Sequence, residues 1–597
     1  MSQAPTDATG TPARAAALIL DAFLDYNARF SDITRRAKRW FERRSWRQAQ
    51  IDTVWRLDLY EECLAETLGR LELLLDERVR SRPLWRHIRD AFELQVAPYL
   101  DRELSKTFFN SLSRRFFHTV GVAADIEFVA LDRESTAHVA EAAARTRYRL
   151  REAPAEAIGQ VFADVPFACG YAAAAADAQR VAAACEAQLH AHDGGAAVAI
   201  ELLPTPFFRE RRAYLVGRLL GERAELPLAI ALISTAEGIR ADAVLTRRQQ
   251  ISTLFGYTRS YFLADLPTVT DTVVYLHGLM PHKPIEELYT VLGRAKQGKT
   301  ERYRHLFRHL AAHPEERLVR ADGERGMVMA VFTPRDYPLV FKVIRDRFAY
   351  PKDIGRRQVE EKYRLVFRYD RIGRLVDAQE FRYLRFPLAQ VDPPMLEELL
   401  AECAETVTVD GEDLVVAHCY VERRLRPLNL YAREADPDAA RAAVLDYGQA
   451  IKDLARSNIF PGDLLLKNFG ITSGGRAIFY DYDELCLVES CRFRALPEAA
   501  DDDETRPLED WLTVRENDVF PEQFPRFLGI PAELRQALIS AHGEIFDPRW
   551  WQAVQDGIAA GDYADVPPYP PSARLSDDGL GIGGGRDVDS LASSQGG

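Results

Sequence analysis

The sequence predicts a two-domain α+β protein, in which a mainly helical α/β domain is followed by a bilobal domain. The chain has 597 residues, which is more than a single hydrophobic core normally accommodates. Its first part carries apolar residues at helical spacing, whereas its second half alternates short apolar strands with glycine turns and helices. We expect domains at 1–314 and 315–570, and a disordered tail at 571–597 that is rich in Pro, Ser, Asp and Gly.

The N-terminal domain is expected to begin with long helices. Residues 1–10 have the composition of a disordered segment, and residues 11–75 carry aliphatic and aromatic side chains at helical spacing. Aromatic residues in such a pattern usually belong to a helical core. Shorter helical patterns follow at 82–97 and 103–118.

The rest of this domain is expected to mix strands with helices. Strand-like runs occupy 125–131, 196–203, 213–220 and 227–234. The Ala-rich residues 170–190 fit either a helix or a loose insertion. A turn is expected at 276–284, and one long basic amphipathic helix then continues to about His313.

The second half of the chain has a different pattern. Leu318 to Arg345 predicts three strands joined by turns, and a helix is expected at 357–369. Strands are expected at 405–409 and 414–421. A helix over 438–456 leads into a polar stretch that carries the chemistry discussed below.

Charge and cysteine content exclude several classes of protein. The formal net charge is −13, so the chain has no basic excess with which to replace the counterions of a nucleic acid. Its seven cysteines form no C-x-x-C pair, which favours free thiols in a reducing cytoplasm. The sequence has no signal-peptide pattern and no apolar run long enough to span a bilayer. We therefore expect a cytoplasmic protein that binds neither nucleic acid nor membrane.

Residues 459–484 contain the most informative chemical pattern. Asp463 and Asn468 have the D-x-x-x-x-N spacing, and a glycine turn and an apolar strand then lead to Asp481 and Asp483. Phosphoryl transfer needs a carboxylate that orients the attacking hydroxyl, and an amide and a carboxylate that hold Mg²⁺ against the phosphates. The pattern predicts a protein-kinase-like domain with Asp463 as the catalytic carboxylate and Asn468 and Asp481 as metal ligands. Asp483 is either a second metal contact or solvated.

A glycine-containing turn upstream fits a cradle for the phosphates of ATP, because glycine lets the backbone approach phosphate oxygens closely. The turn consists of Ala321, Asp322, Gly323, Glu324, Arg325, Gly326 and Met327. Lys342 follows in the apolar run L-V-F-K-V-I and is similar to the kinase lysine that holds the α- and β-phosphates. A buried ammonium needs a partner, and either Glu360 or Glu361 on the following helix could supply it.

The segment 417–425 lies between these two patterns, where a kinase hinge would be. The backbone from Cys419 to Glu422 could hydrogen-bond adenine. An ordinary junction between a strand and a loop would have the same sequence pattern.

Three other motif matches lack part of their required context. Gly293–Thr300 reads G-R-A-K-Q-G-K-T, but a P-loop follows a buried strand and the preceding residues have helical periodicity. Cys486–Arg492 has the Cys-to-Arg spacing of cysteine phosphatases but no glycine that would let backbone N–H groups surround a phosphate. The D-x-D pattern at 481–483 nearly matches aspartyl phosphatases, but Leu485 replaces their usual Thr or Val.

Four segments of the chain resemble one known family. In chain order they are A-D-G-E-R-G-M-V-M, V-F-K-V-I-R-D-R-F, F-P-G-D-L-L-L-K-N-F-G and Y-D-Y-D-E-L. They are similar to segments of bacterial isocitrate dehydrogenase kinase/phosphatase, and the resemblance covers nearly the whole chain. P-G-D in place of H-R-D, and D-Y-D in place of D-F-G, distinguish this family from ordinary protein kinases.

The resemblance implies a bifunctional enzyme that phosphorylates a serine of isocitrate dehydrogenase and removes the same phosphate, which controls flux between the tricarboxylic acid cycle and the glyoxylate bypass. It implies an N-terminal regulatory domain, ATP (ADP in the phosphatase direction), Mg²⁺, and AMP as an allosteric effector. It also assigns a catalytic role to Asp377 in R-L-V-D-A-Q-E-F, which the residues alone would place on a helix surface. A homodimer would suit a dimeric substrate.

Two alternatives to this function remain open from the sequence. The chain could be a kinase-like binding module without turnover, although Lys342, Asp463, Asn468 and Asp481 are all present. It could also be a P-loop nucleotidase that uses Gly293–Thr300. Within the family reading, either Asp377 or Asp463 could orient the water that attacks a phosphoserine.

Overall fold

The computed structural model describes residues 10–129, 144–256, 262–348, 355–369, 372–496, 515, 517–562 and 565–575. The described chain divides into two compact units. Unit 1 contains the described parts of Met1–Pro314, Arg382–Arg385 and Pro567–Ser576, and unit 2 contains the described parts of Glu315–Phe381 and Phe386–Val566. No helix of the described chain is long and apolar enough to cross a membrane.

Unit 1 begins with four helices that pack around an aromatic core. They are α1 (Gly10–Glu42), α2 (Trp46–Leu75), α3 (Arg82–Val96) and α4 (Arg102–Phe117). The side chains of Trp85, Phe92, Phe108 and Phe109 are fully buried, as expected for aromatic residues at helical spacing. This arrangement agrees with the helices predicted from the sequence at the same positions.

A six-stranded antiparallel sheet forms the second part of unit 1. Its strands are β1 (Thr146–Arg149), β2 (Ala197–Leu202), β3 (Phe207–Arg209), β4 (Arg212–Gly221), β5 (Glu225–Ser234) and β6 (Ile239–Leu245). They pair in the order β1-β2-β4-β5-β6, with β3 on β4. Alternate residues of β5 enter different hydrophobic clusters: Ala229 and Ala231 pack with the helical core, and Leu228 and Ile230 pack on the opposite face. Both faces are therefore covered, which explains why β5 is a continuous apolar run.

In the described parts of unit 1, six further α-helices follow. They are α5 (Pro154–Asp164), α6 (Ala174–Ala191), α7 (Arg248–Leu254), α8 (Val269–Leu279), α9 (Ile285–Val291) and α10 (Ala295–Ala312). The Ala-rich segment is thus the helix α6, since Val181, Cys185 and Leu189 give it a buried face.

Three expectations for unit 1 were wrong. The described part of 125–131 is not a strand, because Ile126 N–H donates to Ala123 O within a turn. Part of the expected turn at 276–284 belongs to α8, which ends at Leu279. The long basic helix is instead two helices, because Gly293 has a φ of 85° and breaks the chain between α9 and α10.

This break also excludes the P-loop reading of Gly293–Thr300. The segment follows the helix α9 and not a strand, and Thr300 Oγ1 donates to Lys296 O inside α10. Gly298 lies where α10 crosses α9, and a Cβ added there would be 2.3 Å from Thr290 Oγ1 and 2.5 Å from Glu286 O. The glycine is therefore needed for close helix packing, and the helical N–H groups are not arranged around a phosphate.

The first strands of unit 2 form a sheet with one face against a helix. They are β7 (Leu318–Arg320), β8 (Met329–Pro334), β9 (Leu339–Ile344), β10 (Gln379–Pro387), β11 (Val407–Asp410) and β12 (Asp413–Arg423). The order is β10-β12-β9-β8-β7, with β11 on β12. The helices are α11 (Arg356–Tyr369) and α12 (Pro393–Glu402). Arg345, which directly follows β9, donates a hydrogen bond to Glu398 Oε1 of α12 at 2.6 Å, and this bond fixes the helix against the sheet.

The remainder of unit 2 is mainly helical with short strand pairs. Its helices are α13 (Leu428–Glu434), α14 (Pro437–Arg456), α15 (Phe524–Phe527), α16 (Ala532–His542) and α17 (Pro548–Ala559). Its strands are β13 (Arg426–Pro427), β14 (Ile459–Phe460), β15 (Phe469–Ile471), β16 (Ala477–Phe479), β17 (Cys486–Leu487), β18 (Arg492–Phe493) and β19 (Asp518–Val519). The sheet-rich and helix-rich parts confirm the predicted bilobal α+β architecture.

The expected tail differs from the structure at its beginning. Residues 571–575 belong to unit 1, where Arg574 forms an isolated bridge with Ala243 and an ion pair with Asp242 at 2.7 Å. Tyr569, just before them, accepts a hydrogen bond from Arg212 Nε at 2.7 Å. These contacts order a segment whose Pro- and Ser-rich composition suggested disorder. The rest of the expected tail, 576–597, lies outside the described residues.

We expect Gly298→Ala to destabilise the protein by about 1–3 kcal/mol, because the backbone oxygen of Glu286 cannot give way to the added methyl group. The matched control is Gly278→Ala, since Gly278 lies in α8 and a Cβ added there would have no neighbouring atom within 4 Å. That change should stabilise by up to about 1 kcal/mol. Urea unfolding of the full chain measures both; equal effects would contradict the packing role of Gly298.

Candidate functional site

Lys342 lies in the middle of the unit 2 sheet and is 7% exposed. Its ammonium forms an ion pair with Glu422 Oε2 at 2.8 Å and donates to Tyr480 O at 2.6 Å. It also lies 5.1 Å from the centre of the Tyr480 ring. Burial of an ammonium group requires such partners, so the apolar strand can carry this lysine.

The pairing of β9 with β12 explains the choice of Glu422. The register places Tyr420 opposite Lys342, and side chains two residues apart in a strand share a face. Glu422 is therefore a diagonal neighbour of Lys342. The expectation that Glu360 or Glu361 of α11 pairs with Lys342 was wrong, because Glu360 instead faces Arg364 and Glu361 faces Arg357.

The expected hinge segment is also part of this strand. Tyr420–Arg423 pair with Leu339–Lys342 of β9, and β10 pairs on the other side of β12. The chain leaves the sheet at Arg424, whose N–H donates to Pro338 O. Cys419 to Glu422 are thus residues of a central strand, and the side chain of Glu422 faces Lys342.

The segment from Asp463 to Asn468 is a tight loop after β14. Gly462 has a φ of 81°, and a Cβ there would be 2.6 Å from Glu484 O, so this position requires glycine. Asp463 Oδ1 accepts a hydrogen bond from Leu465 N–H at 3.2 Å. Asn468 Nδ2 donates to Asp463 O at 3.4 Å, and Asn468 is 6% exposed. These bonds hold the catalytic-loop pair in one turn.

A hairpin of β15 and β16 brings Asn468 to the start of the acidic pair. Phe469 pairs with Phe479, so the residues just outside the hairpin, Asn468 and Tyr480, are level with each other. Tyr480 N–H donates to Asn468 O at 3.0 Å. Asp481 follows directly, which places it at the same end of the hairpin as Asn468.

Asp377 reaches this end of the hairpin through a parallel pairing. Leu375 bridges Phe479, and Val376 N–H donates to Phe479 O at 3.1 Å. Continuing this register places Asp377 level with Asp481. Asp377 is 7% exposed and Oδ2 accepts a hydrogen bond from Gln379 Nε2 at 2.9 Å. The residue-level reading of Asp377 as a carboxylate on a helix surface was therefore wrong.

The turn Ala321–Met327 connects β7 to β8 and is exposed from Asp322 onwards. Gly323 has a φ of 117°, which favours glycine. Glu324 forms an ion pair with Lys467 of the catalytic loop at 3.0 Å, and Asp322 forms one with Arg426 at 2.6 Å. The structure thus places this turn beside the Asp463–Asn468 loop.

The centre of the site is strongly acidic. Burial raises the pKa of the Tyr480 phenol above its ordinary value, and the charges of Asp481, Glu422 and Glu324 add to this effect. The phenol donates to Lys467 O, a bond that keeps it protonated. Within the described ranges, no three or more His, Cys, Asp or Glu side chains cluster as a metal site. Mg²⁺ usually takes only one or two carboxylates together with substrate phosphates, so one carboxylate beside an amide oxygen is a donor set that suits it.

Both domains of the chain match family models. Residues 316–571 match the isocitrate dehydrogenase kinase/phosphatase (AceK) kinase domain, and residues 16–315 match the regulatory domain of the same family. The chain belongs to the isocitrate dehydrogenase kinase/phosphatase family. Curated proteins of this name include one from Xanthomonas euvesicatoria pv. vesicatoria, 53% identical over 94% of this chain and 96% of the relative. Another, from Anaeromyxobacter sp. strain Fw109-5, is 43% identical over 96% of this chain and 99% of the relative.

The sequence reasoning missed two residues that support this kinase/phosphatase site. Glu422 lies in a strand 80 positions from Lys342, and only the strand register brings them together. Arg374 anchors the Asp377 segment through Asp453 at 2.8 Å and Asp446 at 2.6 Å. The Arg374 residue is only 3% exposed, and its local sequence does not predict this burial.

We expect Glu422→Gln to destabilise this kinase/phosphatase-family protein by about 3–5 kcal/mol, because it leaves the Lys342 ammonium buried beside a neutral amide. Glu360→Gln is the matched control, since Glu360 faces an exposed arginine and its loss should cost less than about 1 kcal/mol. The shift of the urea midpoint measures both. If Glu360→Gln shifted the urea midpoint more than Glu422→Gln, Glu360 would be the partner of Lys342, as the sequence had suggested.

Proposed function

We propose that this chain phosphorylates isocitrate dehydrogenase on a serine and removes that phosphate, with ATP and Mg²⁺ in one kinase-like site. The relatives carry this activity in their names, and the observation that carries the proposal is the arrangement around Lys342. The Lys342 ammonium donates a hydrogen bond to Tyr480 O, and Tyr480 N–H donates one to Asn468 O. Tyr480 directly precedes Asp481, so these residues form one connected network. The same reaction controls flux into the glyoxylate bypass, in the cytoplasm.

In the kinase direction, Asp463 orients the serine hydroxyl and accepts its proton as the bond to phosphorus forms. Lys342 neutralises negative charge on the α- and β-phosphates of ATP, and the turn of Ala321–Met327 lies over the phosphates. Mg²⁺ bound by Asn468 and Asp481 would neutralise the charge that develops on the transferred group. Asp483, two residues later and half-buried, is a further candidate contact.

In the phosphatase direction, a water molecule must attack the phosphoserine while ADP remains bound. We assign the orientation of this water to Asp377, because it lies level with Asp481 in the strand register. Asp377 accepts a proton from the water as its oxygen bonds to phosphorus, and the bond between phosphorus and the serine oxygen breaks. Asp463, protonated in this direction, gives its proton to the departing serine oxygen, which reverses its role in the kinase direction. The two reactions thus share the metal and nucleotide groups and differ in the attacking oxygen.

We assign catalysis to one domain and its regulation to the other. The catalytic domain extends over 315–570, and the domain at 1–314 regulates it through binding of AMP. The protein substrate is isocitrate dehydrogenase, and a homodimer of this chain would match a dimeric substrate. Neither nucleic acid nor membrane is needed for these steps.

We expect Asp463→Asn to lower transfer of labelled γ-phosphate from ATP to isocitrate dehydrogenase by about 100- to 10,000-fold, because an amide cannot accept the serine proton. Release of phosphate from labelled dehydrogenase should fall as well. Asp438→Asn, at an exposed position of α14, is the matched control and should leave both rates unchanged. Phosphatase activity at the wild-type rate in Asp463→Asn would require a second site. Wild-type protein that binds nucleotide but never labels the dehydrogenase would indicate a binding module.

We expect Asp377→Asn to lower the phosphatase rate more than the kinase rate, because the kinase direction needs no oriented water. The ratio of phosphate release to label transfer, measured on one preparation, tests this. The same Asp438→Asn control applies. Equal losses in both directions would show that Asp377 supports the common site and does not orient the water.

A further inference from the structure

Two cysteines contact each other in the turn that follows the Asp481–Asp483 pair. Cys486 lies in β17, and Cys491 follows a 3₁₀ turn at Val488–Ser490. Their Sγ atoms are 3.5 Å apart, a hydrogen-bonding contact between thiols. Cys486 is partly exposed, whereas Cys491 is 6% exposed. Cys486 is therefore the more accessible of the two residues, and the Cys491 sulfur is in contact with its sulfur.

The surroundings distinguish the two thiols chemically. Hydrogen bonding with Cys491, the positive charge of Lys362 and a hydrogen bond from Ser490 lower the pKa of Cys486, against the opposing effects of burial and the Glu484 charge. The same contact with Cys486 raises the pKa of Cys491, as does burial. Cys486, which is also the more exposed of the two, is thus the more reactive thiol, and Cys491 is the neighbouring thiol that contacts it.

The pair is joined to the catalytic loop by a strand contact. β17 pairs with β14 through Phe460 with Cys486 and Ile459 with Leu487. β14 leads directly into Gly462 and Asp463, and Gly462 packs against Glu484 O. A change in the position of Cys486 is therefore transmitted to both sides of the Asp463 loop.

We propose that Cys486 and Cys491 are a modification site for hydroperoxides, at which a reversible intramolecular disulfide forms next to the catalytic loop. The Cys486 thiolate attacks the terminal oxygen of the hydroperoxide, the O–O bond breaks, and Cys486 becomes a sulfenic acid while hydroxide or an alkoxide leaves and takes a proton from water. The Cys491 sulfur then attacks the Cys486 sulfur, the S–O bond breaks, and water leaves with the Cys491 proton. Two thiols are oxidised by two electrons and one peroxide is reduced.

Disulfide formation brings the two sulfur atoms from 3.5 Å to about 2.0 Å, so we expect the 486–491 segment to adjust. Because Cys486 is paired with Phe460, this adjustment acts on the strand before Asp463. The oxidised chain should therefore lose phosphoryl transfer activity, a consequence that rests on the function proposed above.

The chain offers a direct chemical test. The full protein is reduced, treated with equimolar hydrogen peroxide, alkylated and cut by a Glu-specific protease. Cleavage after Glu489 separates Cys486 from Cys491 unless a disulfide joins the fragments. We expect joined fragments in the wild type and in Cys169→Ser, which removes an exposed cysteine elsewhere, and their loss after dithiothreitol. Cys486→Ser and Cys491→Ser should yield none.

Preferential oxidation of Cys169, or fragments joined between two chains, would overturn the proposal. The activity arm compares labelling of isocitrate dehydrogenase before oxidation, after it, and after dithiothreitol. We expect loss and recovery in the wild type, and no recoverable loss in the Cys486→Ser/Cys491→Ser double variant. Joined fragments with unchanged labelling would overturn the link to the catalytic loop. A reduced wild type that never labels the dehydrogenase would overturn the proposed function, while the fragment mapping would still decide the disulfide.

Discussion

The buried ion pair between Lys342 and Glu422 is the contact on which the candidate site depends. Neither charge is tolerated in a sheet interior without the other, so the pair requires β9 and β12 to keep one register. The other acceptor of the ammonium is Tyr480 O, which belongs to the helix-rich part of unit 2. A single lysine therefore connects the sheet with the residue that precedes Asp481.

The acidic groups are placed by backbone geometry more than by side-chain contacts. The β15–β16 hairpin places Asn468 next to Tyr480, and the parallel bridge between Leu375 and Phe479 places Asp377 at the same end of the hairpin. Lys342 supplies positive charge at this end of the hairpin, and the proposed Mg²⁺ would supply more where phosphates and carboxylates meet.

The supporting layer behind the acidic groups is polar and held by paired hydrogen bonds. Arg374 is buried between Asp446 and Asp453, whose charges raise its pKa against the effect of burial. Tyr447 donates to Leu464 O at 2.5 Å, and Tyr482 donates to Val376 O at 2.6 Å. Such bonds fix loop backbone that apolar packing alone would leave adjustable.

The sequence by itself predicted the helices at 11–75, 82–97 and 103–118 and several of the strands, and it singled out Lys342, Asp463, Asn468 and Asp481 as candidate site residues, because periodicity and short motifs are local properties. It failed where distant segments meet. Glu422 in place of Glu360, the buried position of Asp377, and the ordered residues 571–575 all depend on strand register or on partners far along the chain. Local sequence also could not separate the P-loop pattern at Gly293–Thr300 from a packed helix. Tertiary structure decided these points, since pairing energy and burial arise only between segments that the fold brings together.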